Sequence, residues 1–484
     1  MLALSALARF GDLRFMVAAI VLVGSFTGVS AQDAESRLKL HAKPSPISDQ
    51  ATVADWPRFL GPADNASSTE TPLLREWGDA GPRLLWTLAK GEGYASPIVG
   101  AGRLLLFHRM DGEERVECRS PIDGSLVWET TYPVEYRDRY GYQNGPRSSP
   151  VIDGDFVYVF GVTSQLRCLD LATGKVRWHR DLTADFAPIR ESFFGAGSSP
   201  LVVGDQLVVM IGAEGGPCVV GFDKTTGETL WGAEDEWGAS YASPILSHSG
   251  EQILVMAGGQ SDPPHGGLLS LEVGTGKILG RFDWRSEVVE SVNAATPVAL
   301  PGNRVFITQC YGDGGAMLQI AEDGSLSELW RSENYGVHWM NPVTDQDAKT
   351  LFLIDGRHQQ NAALVAVDIE SGTELWRDPV EWKGDFNGRP FNMAIQRASL
   401  LQVDGATLCL GEMGTLLWMN LDREGIEIPI RHQLFLAPQT WTLPAVSGGL
   451  LYVMQNEKDH LSGGGACLRC YDLRQQTGTL KASE

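Results

Sequence analysis

A chain of 484 residues, 43% of them hydrophobic, is long enough for one large repeat domain or two to three ordinary ones, and it has the material for a core. The 55 glycines, beside strand-favouring aromatics, predict many short strands joined by turns. A formal net charge of -21 repels phosphate backbones and argues against nucleic acid as a partner, and the densest basic run, Arg137, Arg139 and Arg147, is broken by Glu135 and Asp138.

The first element in chain order is a leader. Arg9 and Arg14 precede an apolar run from Phe15 to Phe26, and Val29-Ser30-Ala31 supplies small residues at cleavage spacing. Residues 1–31 therefore read as a secretory signal peptide removed near Ala31, which makes the mature chain periplasmic or secreted. The run is short of the roughly 20 apolar residues a spanning helix needs. No later segment could span a bilayer, and no cysteine follows the run to carry a lipid, so no stable membrane insertion is expected. Residues 32–54 are polar, with Pro44 and Pro46, and read as a flexible lead to a domain covering 55–484.

That domain repeats. The fullest copy, Ser148 to Leu182, predicts four strands: Ser148 to Ile152, Phe156 to Phe160, Gln165 to Leu171 and Lys175 to Leu182, with turns at Asp153-Gly154 and Ala172-Thr173-Gly174. Its opening proline recurs at Pro97, Pro150, Pro200, Pro244, Pro297, Pro342 and Pro444. The intervals are roughly 50 residues, and the last is about twice that. A degenerate copy beginning at Asn392 fills the long interval, which brings the count to eight. Four strands per unit at this period predict an all-β, eight-bladed β-propeller of four-stranded antiparallel blades. The last unit, ending "CLRCYDLRQQTG", lacks a fourth strand, whereas "PRLLWTL" around Trp86 is a fourth strand without a unit. The N-terminal strand is therefore expected to close the ring beside Cys470.

Seven cysteines are present. Cys118, Cys168 and Cys470 fall at one repeat position, where other copies carry Ser270, Leu318 or Ala366, so buried free thiols used for packing are expected. Cys467 and Cys470 are spaced C-x-x-C, but Tyr471 follows, so the pattern is not that of c-type haem attachment.

The turn sentence D-x-x-T-G-x-x-x-W is complete at Asp170, Thr173, Gly174 and Trp178, and recurs with one extra residue at Asp223, Thr226, Gly227 and Trp231. It resembles the tryptophan-docking repeat of the quinoprotein (pyrroloquinoline quinone, PQQ) propellers, over about Asp55 to the C-terminus. The resemblance implies that Trp86, Trp128, Trp178, Trp231, Trp330 and Trp376 dock each blade on the turn of the next. It also implies one of two functional classes. One is a BamB-like, non-enzymatic scaffold of outer-membrane assembly. The other is a PQQ- and calcium-dependent alcohol or sugar dehydrogenase.

In the repeat unit two connections are long, and both emerge on one face of the ring. The connections read "YPVEYRDRYGYQNGPR", "FAPIRESFFGAGS", "EWGASYA", "VVESVNAA", "NYGVHWM", "WKGDFNGRPFN" and "LAPQTWTL". Aromatics, arginines and amides on one rim of a rigid scaffold mark a binding mouth. Its candidate ligand-binding residues are Tyr142, Asn144, Arg147, Arg190, Tyr241, Asn293, His338, Trp339, Arg389, Asn392 and Trp441, with Tyr140 and Phe194 beside them. A dehydrogenase would need oxygen ligands for calcium and a general base. The mouth offers Glu191, Glu290, Asn293 and Asp385, and Trp339 or Trp441 as the floor of a quinone slot. The chain lacks the adjacent cysteine pair of the methanol-type enzymes and a C-x-x-C-H haem site. The expectation is thus an exported, monomeric scaffold that binds a protein partner or small ligand at its mouth, with no catalytic residue, metal or cofactor. The dehydrogenase, with PQQ and calcium, stands as the alternative, and a carbohydrate-binding propeller is a third class.

Overall fold

The computed structural model describes residues 35–186, 194–258, 264–288, 290–386 and 388–475, the side chains of 385 and 386 excepted. The leader, the call on 1–31, and Arg190 and Glu191 lie outside these residues.

Eight sheets, each with four antiparallel strands, follow one another along the chain; two carry a fifth strand, and one of these, Ser67–Ser68, pairs in parallel. In blade 2 the strands are Val151–Asp153, Phe156–Phe160, Gln165–Asp170 and Val176–Asp181. Its second strand is a continuous apolar run, and Val157, Tyr158 and Val159 are all fully buried, because both faces of a middle strand press on neighbouring blades. The outer strand meets solvent and is polar apart from Val176 and Trp178. The degenerate unit forms blade 7, from Ser399–Val403 to Ile426–Gln433. Between blades 6 and 7 the "WKGDFNGRPFN" connection forms a hairpin, Glu381–Phe386 with Arg389–Ala394.

Blade 8 is composite. Cys467–Asp472 pairs with Arg83–Ala89, and Trp86 stands opposite Cys470. Strands from the two ends of the chain thereby close the ring. No single turn joins these two strands, and the segment after Leu73 takes its place. The Leu74 N–H donates to Leu473 O at 2.7 Å, and Trp418 of blade 7 donates its indole N–H to Leu74 O at 3.3 Å.

A register slip between the third and fourth strands occurs in all eight blades, at Cys118/Arg119, Cys168/Leu169, Gly221/Phe222, Ser270/Leu271, Met317/Leu318, Ala366/Val367, Trp418/Asn420 and Leu84/Trp86. Such bulges re-aim a side chain, and here they turn the outer tryptophan towards the next blade. Trp128 donates to Leu171 O at 2.8 Å, Trp178 to Lys224 O at 3.1 Å, Trp330 to Ile369 O at 2.9 Å and Trp376 to Asp422 O at 2.9 Å. Trp231 covers Gly276, and Trp86 lies over Gly124. Blade 4 has no tryptophan at this place, and Leu279 covers Gly324 instead. The cross-strand partner of each docking tryptophan is mostly small: Cys118, Cys168, Gly221, Ala366 and Cys470. In blade 5 that partner is Met317, not the Leu318 expected from repeat spacing, because Trp330 lies further beyond Gly324 than Trp128 does beyond Gly124, so it pairs further back along the third strand. All seven cysteines are free, and six are buried.

The stretch expected to be a flexible lead is laid against the ring from residue 35. Leu38–Leu40 adds an outer strand to blade 8 beside Trp86–Leu88, and Arg37 donates to the buried Glu117 at 2.6 Å. Apolar Leu38 has a place to go, over Gly124 and Trp86, which its polar neighbours conceal in the sequence. The chain then crosses the inner strands at the end opposite the mouth: Trp56 N–H donates to Val99 O, Pro57 O accepts from Ile152, and Ala66 O accepts from Gln402. Glu70 fastens this crossing by accepting the N–H groups of Ala54 and Gly449, each at 3.0 Å. Among the described residues no helix is long and apolar enough to cross a membrane.

Candidate functional site

Strand direction puts the blade-to-blade crossings and the second-to-third-strand connections on one face. There a half-open cavity of about 460 Å³ is lined by residues from all eight crossings. Phe59, from the N-terminal segment, lines it too and supplies its floor. Of the candidates read from the sequence, Tyr142, Arg147, Tyr241, His338, Trp339 and Trp441 line the cavity, as do Tyr140 and Phe194.

The loop carrying Tyr140 and Tyr142 is built around one carboxylate. Asp138 accepts the N–H of Tyr140 at 2.9 Å and of Tyr142 at 3.1 Å, and pairs with Arg147 at 2.8 Å. Both tyrosines thereby stand out at the rim, 43% and 39% exposed. Across the mouth, fully buried Glu412 does the same work. It accepts Trp441 Nε1–H at 2.7 Å, Arg397 Nε–H at 2.9 Å and Gln359 at 3.0 Å. The Arg397 guanidinium then lies 4.7 Å from the Trp339 ring and 5.1 Å from the Trp441 ring.

The aromatic rings form one connected arc. Successive ring centres are 5.5 Å apart from Tyr241 to Phe194, 5.9 Å to Tyr142, 5.6 Å to Trp441, 4.9 Å to Trp339, 3.9 Å to His338 and 5.8 Å to Tyr311. Burial holds His338 well below the ordinary histidine range, and Arg397 and Arg357 lower it further, so the ring is neutral at pH 7. Burial pushes the Cys310 thiol up to about 12, which leaves it unreactive.

Four sequence candidates do not line the cavity. Asn144 accepts the Asp138 N–H at 2.8 Å and so shapes the loop. Asn293 is buried and donates to Ala257 O at 2.9 Å and Trp284 O at 3.0 Å, tying a crossing to its blade. Arg389 and Asn392 stand on the hairpin, where Asn392 accepts from Lys383 at 2.5 Å. Loop amides satisfy backbone and neighbours as readily as ligands, which is why composition does not place the three asparagines. Conversely, Tyr94, Arg357, Arg397 and Glu412 are not among the sequence candidates, and Tyr311 to Gly315 reads in the sequence only as a turn. Tyr311, Arg357 and Glu412 sit just after a second strand, on a connection whose position on the mouth face was the available signal.

The donor set does not fit a calcium-held quinone, which needs several oxygen ligands. Among the described residues no three His, Cys, Asp or Glu side chains gather as a metal site. Glu290 lines the cavity without a second carboxylate beside it on the lining, and the Asp385 side chain lies outside the described atoms.

A family model described as outer membrane protein assembly factor BamB matches residues 112–361. No curated protein sequence matches the chain. BamB from Moraxella catarrhalis has a similar structure, with a TM-score of 0.51 at 16% identity over 79% of this chain and 95% of that one. A europium-containing methanol dehydrogenase reaches a TM-score of 0.60 at 12% identity over 87% and 98%. The quinohemoprotein alcohol dehydrogenase from Comamonas testosteroni reaches 0.56 at 14% over 89% and 82%. At such identities the likeness is one of fold, and it is shared by scaffold and enzyme alike.

Proposed function

We propose, from the premise that the chain belongs to the BamB-like family of PQQ-repeat propellers, that it is an exported binding scaffold whose mouth holds a partner or small ligand and performs no redox chemistry. One observation carries this reading: the carboxylates nearest the cavity are already engaged. Asp138 is held by Arg147 and Glu412 by Arg397, so they serve as struts for Tyr142 and Trp441. Among the described residues Glu290 alone is left on the lining, too few for both a calcium ligand set and a base. Rigid aromatic anchors presented at a rim are the residues that dominate recognition.

The test is dye-linked oxidation of a panel of alcohols and sugars with PQQ and calcium supplied, alongside envelope cross-linking of the mature chain. The expected result is no turnover, together with a cross-linked partner or ligand that Tyr142→Ala loses. Turnover that Glu290→Ala abolishes would establish the dehydrogenase instead. Export predicts a mature N-terminus at Gln32, which N-terminal sequencing reads directly.

A further inference from the structure

Three arginines and one carboxylate, Glu290, line the mouth, and Arg147 and Arg397 are each paired with a carboxylate. Arg357 lies 4.6 Å over the Tyr311 ring and has no carboxylate partner among the described residues. The whole chain carries -21. A long polyanion is repelled by that body, whereas a short anion can reach the Arg357 guanidinium itself. A guanidinium offers a carboxylate two parallel N–H donors.

The rings decide what bears the anion. Along the arc the planes of neighbouring rings meet at 58°, 67°, 62°, 58°, 45° and 88°, so no successive pair is parallel. A flat polycycle is held between parallel faces. Separate faces turned against one another suit a chain of puckered rings joined at angles, each with an apolar face and a polar rim.

We infer, building on the binding role proposed for the mouth, that it takes the end of a short acidic oligosaccharide, with a uronate carboxylate on Arg357 and sugar faces on Trp441 and Tyr142. The probes are trigalacturonate, its methyl-esterified form and a flat tricyclic aromatic tricarboxylate, each titrated into the full chain and read by tryptophan fluorescence and heat. Trigalacturonate is expected to bind at least about 10-fold tighter than the ester, as loss of one charge-assisted contact predicts. Arg357→Gln should reduce acid binding to that of the ester, and Tyr142→Ala should weaken both forms alike. An unchanged melting temperature shows that each variant is folded. No trigalacturonate binding, equal binding of acid and ester, indifference to Arg357→Gln, or tighter binding of the flat tricarboxylate would each overturn the inference. If trigalacturonate fails while Tyr142→Ala still loses the cross-linked partner, the sugar assignment falls and the scaffold reading stands. If Tyr142→Ala loses neither, both fall.

Discussion

Replacing Gly174 with alanine tests how the blades are held together. Gly174 has φ +71°, and an added Cβ would sit 2.4 Å from Cε3 of Trp128. Two costs follow. An L side chain in the left-handed region costs about 1–2 kcal/mol. Displacing Trp128 costs roughly another 1–3 kcal/mol of misfit, since the ring must leave its 2.8 Å hydrogen bond to Leu171 O. The sum is about 3 kcal/mol. Gly154→Ala is the control, because its φ is +56° and nothing lies within 4 Å of the added atom. It should cost only the strain, about 1–2 kcal/mol. Trp128→Ala alone should cost roughly 3–5 kcal/mol, the range for a buried large aromatic. In that background Gly174→Ala should fall to the value of the control, giving a coupling of roughly 1–3 kcal/mol. Equilibrium urea unfolding with matched slopes measures all of these. Equal losses at Gly174 and Gly154, or strict additivity with Trp128→Ala, would refute the docking account.

Three further outcomes are expected. A chain starting at Gly93 lacks the Arg83–Ala89 strand and should expose two sheet edges, so it should self-associate in size-exclusion chromatography; a folded monomer would contradict ring closure. A thiol reagent should label at most the half-buried Cys310 in the native protein and all seven cysteines after denaturation. Burial holds His108 below its ordinary range; its Nδ1 accepts the Gly91 N–H at 2.9 Å and Nε2 meets Glu117 at 2.8 Å. The unfolded chain takes that proton more readily than the folded one as pH falls below about 6.5, so stability should fall with decreasing pH there, by at most about 1.4 kcal/mol per unit. His108→Gln should remove that share of the slope between pH 6.5 and 5.5, and an unchanged slope would show that the ring is already charged in the fold.

The blades were legible because their packing is written locally. Asp170, Thr173 and Gly174 make one turn within five residues, its carboxylate accepting from Thr173 at 2.9 Å, and variants of it return in the units whose outer two strands are joined by a turn. The composite blade was legible from its missing strand. The cavity was legible only in part. Tyr142, Trp339 and Trp441 stand out as aromatics in polar crossings, but what positions them comes from across the ring. Glu412 reads as one acid among many until the fold brings it beneath Arg397 and Trp441. The bulges, likewise, are set by pairing between strands and leave no mark in residue order.

The pairing of Trp86 with Cys470 also has a timetable. At roughly 5–20 residues made per second, the strand that completes the last blade waits tens of seconds for its partner to be made. Until then seven blades stand as an open arc, with an unpaired strand at its start and a fresh sheet edge at its growing end. Under the proposed export the chain would also have to cross a membrane before the ring is shut, and that closure is non-local and therefore slow. A holdase that shields the two free ends, rather than one that assists each blade, is therefore the help its biogenesis calls for. Early termination anywhere before Cys467–Asp472 would leave a product that no amount of well-made blades can finish.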